Sequence, residues 1–178
     1  MATRLILPVS VKVCVSEMAK RLKIVAVGGT FDEFHKGHRT LILKAFEVGD
    51  RVLIGLSTDE FAKKLQKNHD IEPYEERLRD LTFFLETNGL GSRAEMLPLE
   101  DPYSVTVTNS EIDGLVVSRE TEPQSHKINE IRMKKGLPPL KIIVIDMVPA
   151  EDHISISSTR ISIGEIDREG RLISKGDI

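Results

Sequence analysis

Apolar and polar positions along the chain alternate between two periods. A continuous apolar run, KIVAVGG at 23–29, reads as a buried strand. It is followed by GHRTLILKAFEVG, where Leu41, Ile42, Ala45 and Phe46 recur at helical spacing and Gly49 closes the helix. RVLIGLS predicts a second strand, and TDEFAKKL a short helix with Asp59 and Glu60 in its first turn. PYEERLRDLTFFLETNG predicts a longer helix with Pro73 at its first position and Gly89 as its stop. RAEMLPL and GLVVS are strands three and four, separated from a fifth, LKIIVIDMV, by the helical stretch ETEPQSHKINEIRMKKG. SSTRISIGEI predicts a terminal helix capped by Ser157 or Ser158.

Strands alternating with helices imply an α/β domain, with a mostly parallel five-stranded sheet and helices on both faces. Ligands of such sheets bind beyond the carboxyl ends of the strands. The informative segments are then the turns GGTFDEFHKGH, LSTDEFAKK, PLEDPYS, VSRET and VPAEDHISISSTR, all polar and several carrying cations. Residues 1–20 stand apart from the domain at 21–178. Val9, Val11, Val13 and Val15 alternate there, which suits an edge strand in a peripheral appendage without a catalytic role.

Composition narrows the classes. The 178 residues suffice for one domain, and 40% hydrophobic with 30% charged residues is an ordinary globular balance. A net charge of −3 argues against a general nucleic-acid binder, and 4% aromatics without Trp against extended base-stacking surfaces. Cys14, the single cysteine, builds neither an internal disulfide nor a Cys-rich zinc site, so a reducing, cytoplasmic setting is expected. No apolar run is long enough to span a bilayer, and no signal-peptide pattern is expected. A monomer or a small homo-oligomer is expected.

The turn after the first strand carries candidate chemistry. Gly28 and Gly29 let the backbone approach a ligand, Thr30 offers a hydroxyl, and Gly37 leaves room where the helix starts. Free N–H groups and the helix dipole there attract anions, with His35 and His38 at the same opening. For an isolated H-x-G-H, surface histidines in a plain turn would be the simpler reading; metal ligation would need further ligands, and none stands out nearby. A second anion-binding turn is offered by Ser157, Ser158 and Thr159, with Arg160 adding a charge. No convincing Ser-His-Asp set, paired catalytic carboxylates or reactive cysteine is evident.

The strand, GGTFD, H-x-G-H and helix order resembles the signature of the nucleotidylyltransferase superfamily, in which (H/T)xGH follows the first strand of a Rossmann-like, doubly wound fold. ISSTRIS at 156–162 resembles that family's ISSTxxR, with Ser162 where an Arg is usual. The resemblance covers roughly residues 23–166. GGTFDEFHKGH, EPYEERLRDL, PLEDPYS and LVVSRET together resemble the archaeal/eukaryotic type of phosphopantetheine adenylyltransferase.

That resemblance implies the reaction of ATP with 4′-phosphopantetheine to dephospho-CoA and pyrophosphate, with Mg²⁺ arriving on ATP and held by phosphates and water rather than by a protein cage. It implies that Thr30 orients the acceptor phosphate, that His38 donates to the α-phosphate, and that Gly29 and His35 lie against the neighbouring phosphates. Ser157, Ser158, Thr159 and Arg160 would grip the triphosphate, and Arg119 a phosphate or the ribose. Lys63 or Lys64, with Lys63 preferred, would reach the incoming phosphate. Arg77 would stand near the site, and Asp101 and Tyr103 would shape the pantetheine pocket. An FMN-directed adenylyltransferase and a non-catalytic nucleotide or CoA sensor are the alternatives.

Overall fold

The computed structural model describes residues 21–65 and 69–173. Five strands, β1 (Leu22–Gly29), β2 (Gly49–Ser57), β3 (Ala94–Leu99), β4 (Gly114–Ser118) and β5 (Lys141–Ile145), pair in the order β3-β2-β1-β4-β5, all parallel. The chain builds outward from β1 to β3, then returns to the other side of β1 for β4. The order therefore reverses between β1 and β4, and a crevice opens beyond their carboxyl ends.

Both faces of the sheet are covered, as alternation predicts. On one face α1 (Lys36–Val48) and α3 (Tyr74–Thr87) pack Ile42, Phe46, Leu81 and Leu85 onto Val25, Val27, Val52 and Ile54. Each such side chain contributes about 1.5–3 kcal/mol by leaving water. The opposite face is thinner. There Ala26, Leu53, Leu115 and Val117 meet Ile128 of α4 (Glu122–Lys134) and Val107 of a 3-10 turn, Ser104–Val107. Among the described residues no helix is long and apolar enough to cross a membrane.

Several element ends differ from the sequence pattern, three of them near the cleft or its motifs. His35 caps α1, so the helix starts one residue before Gly37. Pro73 is the cap of α3 rather than its first helical residue. The terminal helix is only α5 (Ser158–Ser162). Gly164 takes φ +73° there, the Gly164 N–H donates to the Ile161 carbonyl and the Glu165 N–H to the Arg160 carbonyl. That Schellman closure halts the helix although Ile163 and Ile166 continue an apolar pattern. Ile166 instead enters a small core with Ala150 and Ile156. The alternating valines at 9–15 lie outside the described residues.

The segment after α5 returns to the first turn. The Lys36 N–H donates to the Arg168 carbonyl at 2.9 Å. The Arg168 guanidinium donates to Glu33, Asp80 and Glu72 at 3.0, 2.9 and 2.7 Å. One cation thus gathers three carboxylates and pins both ends of the domain together.

Candidate active site

The turn after β1 is wound tightly. Phe31 and Glu33 both take φ +51°, a left-handed conformation costing on the order of 1–3 kcal/mol for a non-glycine residue. The surroundings offset that cost. Phe31 is buried, the Glu33 N–H donates to the Glu72 carboxylate at 2.9 Å, and the Glu72 N–H donates to Asp32 at 2.9 Å. Arg77, fully buried, donates to the carbonyls of Thr30 (2.9 Å), Ser57 (2.8 Å) and Glu72 (2.7 Å), and to Asp59 (2.7 Å). The strained turn is therefore held from below, with Thr30 at the cleft surface.

The histidines form a stacked pair, ring centroids 3.7 Å apart. The Gly37 N–H donates to His35 Nδ1 at 3.1 Å, and the His35 N–H donates to His38 Nδ1 at 3.4 Å. With both Nδ1 atoms accepting, each neutral ring carries its proton on Nε2. A Cβ at position 37 would stand 3.0 Å from the His35 ring, so the intervening glycine is what lets that ring fold back over the helix start.

Thr30, Gly29, His35, His38, Ser157, Ser158 and Thr159 line one cleft of about 590 Å³ at the carboxyl ends of the strands. Tyr103 lines it too, with Leu99, Pro102, Val105 and Ile128 beside it as an apolar half. Two motifs far apart in the chain thus face one space. The Ser157 hydroxyl has a structural duty as well, accepting from the Arg160 N–H to cap α5.

The remaining expected residues sit elsewhere. Arg77 is a brace behind Thr30, its donors taken up by carbonyls and Asp59, and it lines no part of the cleft. Asp101 is exposed and caps its own loop by accepting from the N–H groups of Tyr103 and Ser104 at 2.7 Å each. Phe61 and Ala62 take the inward positions of α2 (Asp59–Lys64), so Lys63 faces out. It lines a smaller cavity of about 460 Å³ with Asp59, His69 and Asp70 rather than the main cleft. Arg160 is turned away into ion pairs with Asp152 and, at 2.8 Å, Glu165. Arg119 stands exposed at the rim, paired with Asp146 at 2.9 Å and Glu122 at 3.3 Å. Its hydrogen bond to the Asp146 carboxylate and that group's charge hold the guanidinium's pKa above the ordinary value.

Sequence reasoning missed several residues. Ser57, Thr121, Gln124 and Asp146 also line the cleft. Asp32 and His69 form a buried pair, with Nε2 2.7 Å from the carboxylate and Nδ1 3.3 Å from the Thr159 hydroxyl. The three come from segments separated by 37 and 90 positions, which no local pattern marks. Among the described residues no group of three or more His, Cys, Asp or Glu is placed to hold a metal.

A family model described as cytidylyltransferase-like matches residues 26–162. The chain is 48% identical over 158 residues to a phosphopantetheine adenylyltransferase from Methanothermobacter thermautotrophicus, covering 89% of this chain and 94% of that one. It is 49% identical over 151 residues to a phosphopantetheine adenylyltransferase from Methanosarcina mazei, covering 83% and 96%. A crystal structure of an Archaeoglobus fulgidus protein of unknown function superposes with a TM-score of 0.63 at 28% identity, covering 75% of this chain and 98% of that one.

Proposed function

Because the chain belongs to the phosphopantetheine adenylyltransferase family, within the cytidylyltransferase-like proteins, we propose that it transfers AMP from ATP to 4′-phosphopantetheine, releasing pyrophosphate in coenzyme A biosynthesis. The observation that carries this is near-end-to-end similarity to relatives of that name, joined to a cleft where both motifs converge.

The chemistry needs alignment more than proton transfer. A phosphate monoester has its second pKa near about 6, so it is already a dianion at neutral pH. One of its oxygens forms a bond to the α-phosphorus of ATP. The bond from that phosphorus to the bridging oxygen breaks, and its electron pair leaves on pyrophosphate. No general base is required, so catalysis rests on positioning and on donors facing the developing charge.

His38 supplies such a donor from Nε2, its ring oriented by the His35 N–H. His35 contributes a second imidazole against the neighbouring phosphates. Thr30 orients the attacking phosphate, and Ser158 and Thr159 receive the triphosphate on the opposite wall. The apolar half beside Tyr103 suits the thin pantetheine arm. ATP enters as its magnesium complex, the ion held by phosphate oxygens and water. Lys63 and Arg119, both outside the cleft wall, reach the phosphates only by side-chain movement.

The test is an acceptor panel. Purified protein with Mg²⁺ and ATP or CTP is offered phosphopantetheine, flavin mononucleotide, nicotinamide mononucleotide or glycerol 3-phosphate, and pyrophosphate is measured. Release is expected only with ATP and phosphopantetheine. Release with flavin mononucleotide instead replaces the acceptor, and no release with any acceptor leaves a binding module.

A further inference from the structure

The mechanism above leaves the buried pair Asp32 and His69 without a task. Asp32 is 0% exposed and accepts from the Glu72 N–H at 2.9 Å. Its other oxygen lies 2.7 Å from His69 Nε2, and the His69 ring is 3% exposed. Thr159 faces the main cleft, while His69 lies behind it on the wall of the smaller cavity. A chain of polar groups therefore runs from Asp32 through His69 to the Thr159 hydroxyl at 3.3 Å.

A hydroxyl has one proton, so its polarity is decided by its neighbour. A neutral His69 with its proton on Nε2, toward Asp32, presents Nδ1 as an acceptor. Thr159 then gives its proton to the ring and shows lone pairs to the cleft. A doubly protonated His69 donates from Nδ1, Thr159 accepts, and the hydroxyl proton turns toward the cleft. Phosphate oxygens only accept. A polyphosphate lying against Thr159 matches the second arrangement alone, and the Asp32 carboxylate offers that imidazolium an ion-pair partner.

We propose that His69 is a positioning residue for Thr159: as ATP binds, the ring takes a proton from solvent and sets the Thr159 hydroxyl as a donor to the triphosphate. This rests on the ATP reading given above. Among the described residues, the charged groups around the ring are Asp32 from the first turn, Asp59 and Lys63 from α2, and Asp70 beside it. Asp59 is engaged by Arg77, and Arg160 of α5 is turned away to Asp152 and Glu165.

The experiment is calorimetric titration of the full chain with magnesium ATP near neutral pH, in two buffers of different ionisation enthalpy. The proteins are the wild type, His69→Gln, Thr159→Val and the double variant. Glutamine keeps an amide able to reach Asp32 but has no ring nitrogen facing Thr159. Each single variant is expected to bind ATP roughly tenfold more weakly, the loss of one hydrogen bond to a charged group. The double variant should be no weaker than either single one, because both remove the same interaction. The wild type should take up more protons than either single variant, and KM for the acceptor should not move. His69→Gln matching the wild type in affinity and proton uptake overturns the inference, as do two independently adding losses. Should His69→Gln fail to fold, Thr159→Val decides: proton uptake equal to that of the wild type overturns the proposal. A wild type that binds no ATP overturns the adenylyl-transfer reading as well, whereas binding that the variants match overturns this inference alone.

Discussion

The buried guanidinium of Arg77 donates to the carbonyl of Thr30 at 2.9 Å, so the backbone of a cleft residue is fixed from inside the protein. The same side chain holds the carbonyls of Ser57 and Glu72. Replacing Arg77 with Met leaves those acceptors without their donor. A loss of about 3 kcal/mol is expected in denaturant unfolding. Arg77→Lys keeps the charge but not the fork, and should recover only part of it. A loss below about 1 kcal/mol for Arg77→Met would show that water substitutes for the brace.

Gly37 separates stability from activity. Alanine favours a helix over glycine by about 1 kcal/mol, yet a Cβ here meets the His35 ring at 3.0 Å. Gly37→Ala should therefore keep its melting temperature within a few degrees while turnover falls by about tenfold or more, as displaced rings lose alignment. Wild-type turnover in this variant would show that the His35 orientation carries no catalytic weight.

His38 is expected to act on the transition state. Removing one such donor costs on the order of 10²–10³ in turnover. Steady-state kinetics of His38→Ala should show that fall in kcat with KM for ATP nearly unchanged. A rise in KM at constant kcat would assign the ring to ground-state binding.

Arg168 makes stability depend on pH. Burial raises the pKa of Glu72 above its ordinary 4.5, while the nearby Arg168 pulls it down. A carboxyl raised by folding favours the folded state at acid pH, and that contribution is lost as pH rises through the folded value. Arg168→Met removes the lowering influence and leaves three facing carboxylates. Its destabilisation should be about 2 kcal/mol at roughly pH 7 and clearly smaller near pH 4, by urea unfolding. Equal losses at both pH values would mean that the carboxylates are not coupled to this cation.

Much of the architecture was legible because β-strand and helix periods are local properties. Val25 to Val27 and Leu41 to Phe46 announce their elements without reference to the rest of the chain. The two motifs that line the cleft were legible for the same reason, since His35 with His38 and Ser157 to Thr159 each lie within a few positions. What the sequence hides is direction. Arg77 reads as a helix cation beside Glu75 and Glu76, and only packing turns it inward beneath Thr30. Arg160 follows the serine turn, yet Asp152 and Glu165 draw it away from the cleft. The Asp32–His69–Thr159 contacts depend on two loops meeting the first turn of α5, a property of tertiary structure alone.

The link between Glu33 and Arg168 spans 135 positions of the chain. During synthesis at about 5–20 residues per second, the first turn emerges from the ribosome on the order of ten seconds before its clasp. Through that interval neither Arg168 nor the Thr159 wall is there to hold Phe31 and Glu33 in left-handed backbone. The two walls of the cleft likewise face each other only after Thr159 has emerged. Chains cut short before position 168 should be selectively exposed to proteolysis at this turn, because the side chain that clasps it is missing.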